Sequence, residues 1–242
     1  MLNKDEQVRL FDRYSHPRKM AKQAFDRGIL EGFDAEFTTE QTVESSCLYV
    51  DISGFSSRVA SFSPREVRSF LDDYYAVAIP LVKIHGGMID RIAGDGIIAV
   101  FSSFFDKNTS YQQTQLRAMS AASDIVWQLK DSPLASKAAL SFGELLFCKT
   151  GIESIYEDFS VLGNPLTELY RLESVANQNQ IIFRGGTQFA RQLDRQAKLW
   201  TIQNSRKPRW VQENPGWILE SAEFDLRGVS QYPVQCMIKY VA

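Results

Sequence analysis

The chain lacks the features that would place it in a membrane or outside the cell. None of its apolar runs approaches the roughly 20 residues that a helix needs to cross a bilayer. Its first residues have no apolar core of the kind found in a signal peptide. We therefore expect a cytoplasmic protein with no membrane partner.

Clusters of cysteine and histidine are also missing. The three cysteines, Cys47, Cys148 and Cys236, do not have the spacing of metal ligands. The two histidines, His16 and His85, are isolated from each other. Cys47 and Cys236 lie in apolar, strand-like runs, which indicates buried thiols in a reducing cytosol.

An excess of charge of either sign is absent as well. The chain has 27 lysines and arginines against 29 aspartates and glutamates, which gives a formal net charge of −2. Such a balance creates no overall field that would attract nucleic acid or a membrane surface. An anionic ligand must then be held by a local group of basic side chains, and we expect no nucleic-acid partner.

Two stretches each place one aspartate at the edge of a strongly apolar strand and near a glycine. Asp51 lies near the end of the strand-like run 48–52, and Asp95 lies between two glycines in residues 89–98. Buried strands rarely tolerate a carboxylate without a partner. Two such aspartates indicate a shared pair of divalent cations, Mg²⁺ or Mn²⁺, that would also be held by the phosphates of a substrate.

The rest of the chain predicts an α+β fold. Residues 1–45 read as a helical lead segment that ends in a polar linker, and 46–242 as one domain. A strand at 47–52 precedes a helix that starts with the capping box of Ser63 and Glu66. A glycine-flanked hairpin follows, and then a helix over 112–130. This order predicts a sheet with helices mainly on one face.

The segment after Asp51 turns from a strand towards a helix, where backbone N–H groups can cradle phosphate oxygens. Its candidate residues are Ser53, Gly54, Phe55 and Ser56. The alternative at this point is an exposed aspartate at a strand end together with an ordinary Gly-Asp-Gly hairpin.

Four segments carry a resemblance to a known family. Residues 49–56, 86–101, 161–163 and 171–173 resemble the class III nucleotide cyclase catalytic domain, and the likeness covers about residues 45–241. It implies a ferredoxin-like βαββαβ core with additional strands and a head-to-tail homodimer with two sites across the interface. It also implies conversion of a nucleoside triphosphate to a 3′,5′-cyclic monophosphate and pyrophosphate.

The resemblance also implies roles for individual residues. Asp51 and Asp95 match the metal-binding aspartates, and Ile52 matches the position whose backbone carbonyl binds a metal. Arg171 matches the arginine that stabilises charge on the reacting phosphate. Arg227 resembles the lysine that binds the triphosphate.

The residues expected to read the base depart from the family pattern. Arg91 replaces the base-selecting lysine, Ser160 replaces its aspartate or threonine partner, and Thr167 replaces the ribose-orienting asparagine. A donor-only guanidinium suits a base edge rich in acceptors, and Tyr49 beside it would shorten the pocket. These changes predict a pyrimidine substrate, with UTP favoured and CTP possible.

A small cyclase of this pattern is similar to the pyrimidine cyclases of bacterial anti-phage defence, whose cyclic products activate a separate effector protein. Three alternative interpretations remain. Arg91 can replace lysine conservatively and read adenine, which would make a purine cyclase with an atypical pocket. Tyr49 can be a core aromatic of its strand. The domain can also be an inactive, cyclase-like nucleotide-binding module.

Overall fold

The computed structural model describes residues 39–152, 156–185, 187–193, 217–218, 226 and 236–240. The predicted N-terminal helix lies outside these residues. The strands are β1 Gln41–Ile52, β2 Met88–Ala93, β3 Gly96–Ser102, β4 Ser136–Ile152, β5 Tyr156–Leu162, β6 Gln180–Phe183, β7 Trp217–Ile218 and β8 Cys236–Tyr240. The helices are α1 Phe55–Arg58, α2 Pro64–Ile84, α3 Tyr111–Leu129 and α4 Asn164–Val175.

The strand order confirms the predicted fold class. The sheet runs β2-β3-β1-β4-β6-β8-β7, and β5 pairs with β4. Its first four strands, with α2 and α3 between them, form a βαββαβ unit in the order β2-β3-β1-β4. This is the ferredoxin-like arrangement, and the strands beyond β4 are the additional ones.

The strand β1 is longer than the sequence predicts. Polar residues before position 47 predicted a linker, but the strand already begins at Gln41. Ser45 and Ser46 are fully buried there. Their hydroxyls are satisfied across the core, because Ser45 Oγ donates to Ser102 Oγ at 2.8 Å and Ser46 Oγ lies 2.9 Å from Thr114 Oγ1. Paired hydroxyls therefore let a polar sequence continue a buried strand.

Alternate residues of β1 point to opposite faces of the sheet. Leu48, Val50 and Ile52 join the main apolar core with residues of α2 and α3. The ring of Tyr49 instead contacts Tyr170 of α4, with 5.6 Å between the ring centroids. The two long helices thus share one face as expected, whereas α4 lies on the other, which the sequence did not predict.

Two groups of residues form separate compact units. One contains the described residues up to Val43 together with Leu145–Gly163, and the other contains Glu44–Glu144 and the described residues from Asn164 onwards. In the first unit, β4 and β5 form an antiparallel ladder. The second contains the apolar core.

Of the helices that the structure describes, none combines the length and apolar character needed to cross a membrane.

The predicted capping box at the start of α2 is confirmed. The Glu66 N–H donates to Ser63 Oγ at 3.4 Å, and the Ser63 N–H donates to Glu66 Oε2 at 2.7 Å. Pro64 occupies the first helical position. Helix α3 begins with an equivalent box, formed by Ser110 and Gln113.

Replacing the N-cap residue should destabilise the protein. Ser63→Ala removes the acceptor for the Glu66 N–H and should lower the melting temperature by about 2–4 °C, as expected for loss of a helix cap in a chain of this size. Ser61→Ala is the matched control, because Ser61 is exposed and lies two residues before the cap. Equal melting temperatures for the two variants in differential scanning calorimetry would contradict the capping role.

Candidate active site

The register between β1 and β3 brings Asp51 and Asp95 together. Val50 pairs with Ile97, and Ala93 pairs with Gly96, so Gly94 and Asp95 form a two-residue turn beside the end of β1. The carboxyl groups of the two aspartates lie within hydrogen-bonding reach of each other. Side chains 44 residues apart in sequence, since 95 − 51 = 44, thus form one acidic pair.

Among the described residues, no cation is paired with this acidic pair alone. Burial and the neighbouring Asp95 raise the pKa of Asp51 well above its ordinary value, and Glu173 adds to the effect. Lys137 opposes it, but its Nζ is paired with Glu173 Oε1 at 2.6 Å. Two crowded carboxylates therefore create a demand for positive charge.

The residues present fit divalent metals that are shared with a substrate. The carboxylates of Asp51 and Asp95 are hard oxygen donors, as Mg²⁺ and Mn²⁺ prefer. Within the described residues, no group of three or more acidic, histidine or cysteine side chains could hold a metal alone. Ile52 ends β1 with a buried side chain, so only its backbone is left to act as a ligand. Phosphate oxygens would have to complete the coordination.

Two tyrosines hold the turn that carries Asp95. The Tyr75 hydroxyl of α2 donates a hydrogen bond to the Gly94 carbonyl, and Gly94 has a φ of 61° that favours glycine. Tyr49 covers Gly96, where an added Cβ would lie 2.6 Å from the tyrosine hydroxyl. The sequence did not indicate Tyr75 as a site residue, because its polar contact exists only after the hairpin has folded against α2.

The loop after β1, residues 53–56, is predicted to cradle phosphate oxygens, and we call it the oxyanion cradle. Gly54 adopts a φ of 68° and faces open space, and α1 begins immediately after it. The first residues of a helix, here Phe55 and Ser56, have N–H groups without an intrahelical acceptor. The Ser53 N–H donates to the Ala135 carbonyl at 2.9 Å. Arg58 Nε donates to the Ser53 carbonyl at 2.8 Å and fixes the loop.

Ser53 also has a buried hydroxyl in this loop. Its Oγ has no hydrogen-bond partner in the described part of the chain. A buried hydroxyl is costly when it is left unpaired. An added ligand oxygen would satisfy it.

The helix α4 presents its two predicted site residues, Thr167 and Arg171, on one exposed face with i, i+4 spacing. Tyr170, which was not predicted, is exposed beside them. No carboxylate of the described residues pairs with the Arg171 guanidinium, which leaves it open to an anion. Arg227 lies outside the described residues, so its role stays a prediction.

The predicted base-reading residues have different surroundings. Arg91 lies on β2, where its Nε contacts Asp90 Oδ2 at 2.6 Å. Ser160 belongs to the other compact unit, and its hydroxyl shares a hydrogen bond with Thr150. The pairing of Ser160 with Arg91 in one pocket stays a prediction.

Solved cyclase structures share this fold. The chain matches the guanylyl cyclase Cya2 with a TM-score of 0.60 and 21% identity, over 84% of this chain and 94% of that one. It matches the adenylyl cyclase CyaB from P. aeruginosa with a TM-score of 0.59 and 15% identity, over 84% of this chain and 97% of that one. The fold is therefore that of class III cyclase catalytic domains.

Curated relatives are similar over part of the chain. An adenylate cyclase of Mycobacterium bovis is 28% identical over 141 residues, which is 57% of this chain and 31% of the relative. An adenylate cyclase of Anabaena cylindrica is 32% identical over 99 residues, 41% of this chain and 18% of the relative. The matched segments thus span less than a third of these relatives. No protein-family model matches the chain.

The acidic pair predicts a stability that depends on metal. Asp51→Asn should remove most of the rise in melting temperature that Mn²⁺ and a nucleoside triphosphate cause together, because it removes one of the two carboxylates. Without metal, the variant should melt no lower than wild type, because it removes the cost of ionising Asp51 beside Asp95.

The matched control is Asp73→Asn, which changes an exposed aspartate of α2. This control should retain the full Mn²⁺-dependent rise in differential scanning fluorimetry. An unchanged rise in Asp51→Asn would contradict the metal assignment.

Proposed function

We propose that this chain is a nucleotide cyclase that converts a nucleoside triphosphate to a 3′,5′-cyclic monophosphate and pyrophosphate. The observation that carries the proposal is the pair of crowded carboxylates, Asp51 and Asp95, beside the oxyanion cradle of residues 53–56. The cyclase fold and the adenylate cyclase relatives support the same activity.

In the proposed reaction, the ribose 3′-oxygen attacks the α-phosphorus, the bond to the β-phosphate oxygen breaks, and the 3′-hydroxyl proton passes to solvent. Two divalent cations held by Asp51, Asp95 and the Ile52 carbonyl would supply charge neutralisation and lower the pKa of the attacking hydroxyl. The N–H groups of Phe55 and Ser56 in the cradle orient phosphate oxygens. Arg171 stabilises the negative charge that develops on the reacting phosphate.

The geometry of α4 supports a site that is shared between two protomers. Glu173 points towards its own acidic pair, where it pairs with Lys137 and acts on Asp51. Residues two apart on a helix are separated by about 200°. Arg171 therefore faces away from the aspartates of its own chain and would complete the site of a second copy, as in a head-to-tail homodimer.

We also propose that the base is a pyrimidine, with UTP favoured over CTP. The Arg91 guanidinium has only donors, and its side chain is 51% exposed, which leaves it accessible to a base edge rich in acceptors. A purine substrate is the alternative, and the guanylyl and adenylyl cyclase neighbours favour it. The product would be a cytoplasmic second messenger for a separate effector protein, as in anti-phage signalling.

Incubation with each of the four nucleoside triphosphates and Mn²⁺ distinguishes a pyrimidine cyclase from a purine cyclase and from an inactive module. We expect a cyclic monophosphate and an equal amount of pyrophosphate, with the highest kcat/KM for UTP, in product analysis by liquid chromatography and mass spectrometry. Product from ATP or GTP alone would contradict the pyrimidine assignment. Nucleotide binding without product from any of the four would instead indicate an inactive binding module.

The shared site predicts complementation between two inactive variants. Asp51→Asn and Arg171→Ala should each reduce kcat by at least about 100-fold, because each removes charge stabilisation of the transition state. Random mixing of equal amounts makes half of the dimers mixed, and one of the two sites in each mixed dimer is intact. Activity should return to about a quarter of wild type.

Arg65→Ala is the control for this experiment, because Arg65 is exposed on α2 and lies outside the proposed site. It should leave kcat near the wild-type value. If the mixture of Asp51→Asn and Arg171→Ala stayed as inactive as its components, the shared site would be wrong.

A further inference from the structure

A β-bulge lies at the position of Arg91. Ile89 pairs with Ala99 and Arg91 pairs with Ile98, so Asp90 is an extra residue without a partner on β3. Neighbouring residues of a regular strand point to opposite faces of the sheet. The bulge interrupts this alternation and allows the side chains of Asp90 and Arg91 to meet.

The Asp90 carboxylate contacts the Arg91 guanidinium at its Nε atom. Its Oδ2 lies 2.6 Å from Arg91 Nε, and its side chain is 11% exposed whereas that of Arg91 is 51% exposed. The carboxylate is therefore covered, and the guanidinium is the accessible part of the pair. A contact through Nε leaves the terminal Nη groups available to a ligand.

Tyr170 borders the guanidinium from α4. Its hydroxyl lies within hydrogen-bonding reach of Arg91, and its ring packs edge-on against Tyr49. Tyr170 directly precedes Arg171 on the exposed face of this helix. Arg91 is thus connected through Tyr170 to the helix that carries the proposed phosphate-stabilising arginine.

We infer that Asp90 and Tyr170 are positioning residues that fix the Arg91 guanidinium for selection of the nucleotide base. This inference rests on the proposed function. Arginine has several freely rotating side-chain bonds, and fixing them in advance reduces the entropy lost when a base binds. Without these contacts the terminal donors would adopt many directions, and the site would discriminate poorly between bases.

The test is the base selectivity of an isosteric variant. Asp90→Asn keeps the shape of the side chain but removes its charge, and it should lower kcat/KM for the preferred triphosphate by about tenfold. The values for the poor substrates should change much less, so the ratio between best and next-best base should fall. A purely structural defect would lower all four values together.

Tyr170→Phe is the second variant, because it removes only a hydroxyl from an exposed side chain. It should reduce the same selectivity ratio by a smaller factor. Asp72→Asn is the matched control, since Asp72 forms an exposed pair with Arg68 on α2. This control should leave the ratio unchanged.

A double-mutant cycle separates positioning from direct contact with the base. In an Arg91→Ala background, Asp90→Asn should cause no further change in selectivity, because its effect passes through the guanidinium. Melting temperatures identify any variant that fails to fold. If Asp90→Asn does not fold, the selectivity ratio of Tyr170→Phe tests the inference.

The outcomes distinguish the two proposals. No product from any triphosphate with the wild-type chain would overturn the proposed function, and this inference with it. Normal cyclisation by the wild type, with a selectivity ratio that neither Asp90→Asn nor Tyr170→Phe changes, would overturn this inference alone.

Discussion

The repulsion between Asp51 and Asp95 is the interaction on which the rest of the site depends. Antiparallel pairing of β1 with β3 and a two-residue turn place the two carboxylates together. Burial raises the pKa of Asp51, and the neighbouring Asp95 raises it further. The fold stabilises this costly arrangement through contacts at the turn, such as that between Tyr75 and Gly94. Bound cations would neutralise the two carboxylates and make their close approach favourable.

In the proposed dimer, one protomer would contain the parts of two half-sites. The acidic pair and the oxyanion cradle lie at the end of β1, whereas Arg171 is on the exposed face of α4. Glu173 connects these regions, because it lies on the same helix yet acts on Asp51. The bulge at Asp90 gives Arg91 its direction, and Tyr170 connects it to α4. In the proposed dimer, each chain would bind the metal ions of one active site and select the base in the other.

Sequence reasoning predicted the features that local patterns determine. The capping box at Ser63 and the hairpin around Asp95 are confirmed, because both depend on residues close together in the chain. The predicted strand start at residue 47 was wrong, because the strand begins at Gln41 and its buried hydroxyl pairs, such as that of Ser45 with Ser102, require distant partners. The bulge at Asp90 was missed for the same reason: it depends on register with β3 and not on local composition.

The most direct measurement of the central claim is the number of Mn²⁺ ions bound together with a substrate that cannot react. A 3′-deoxy nucleoside triphosphate lacks the attacking hydroxyl and should bind without turnover. Calorimetric titration of the wild-type chain with this analogue present should give two Mn²⁺ ions per bound nucleotide. Nucleotide binding that recruits no metal, or that keeps the same metal stoichiometry in Asp95→Asn, would contradict the account.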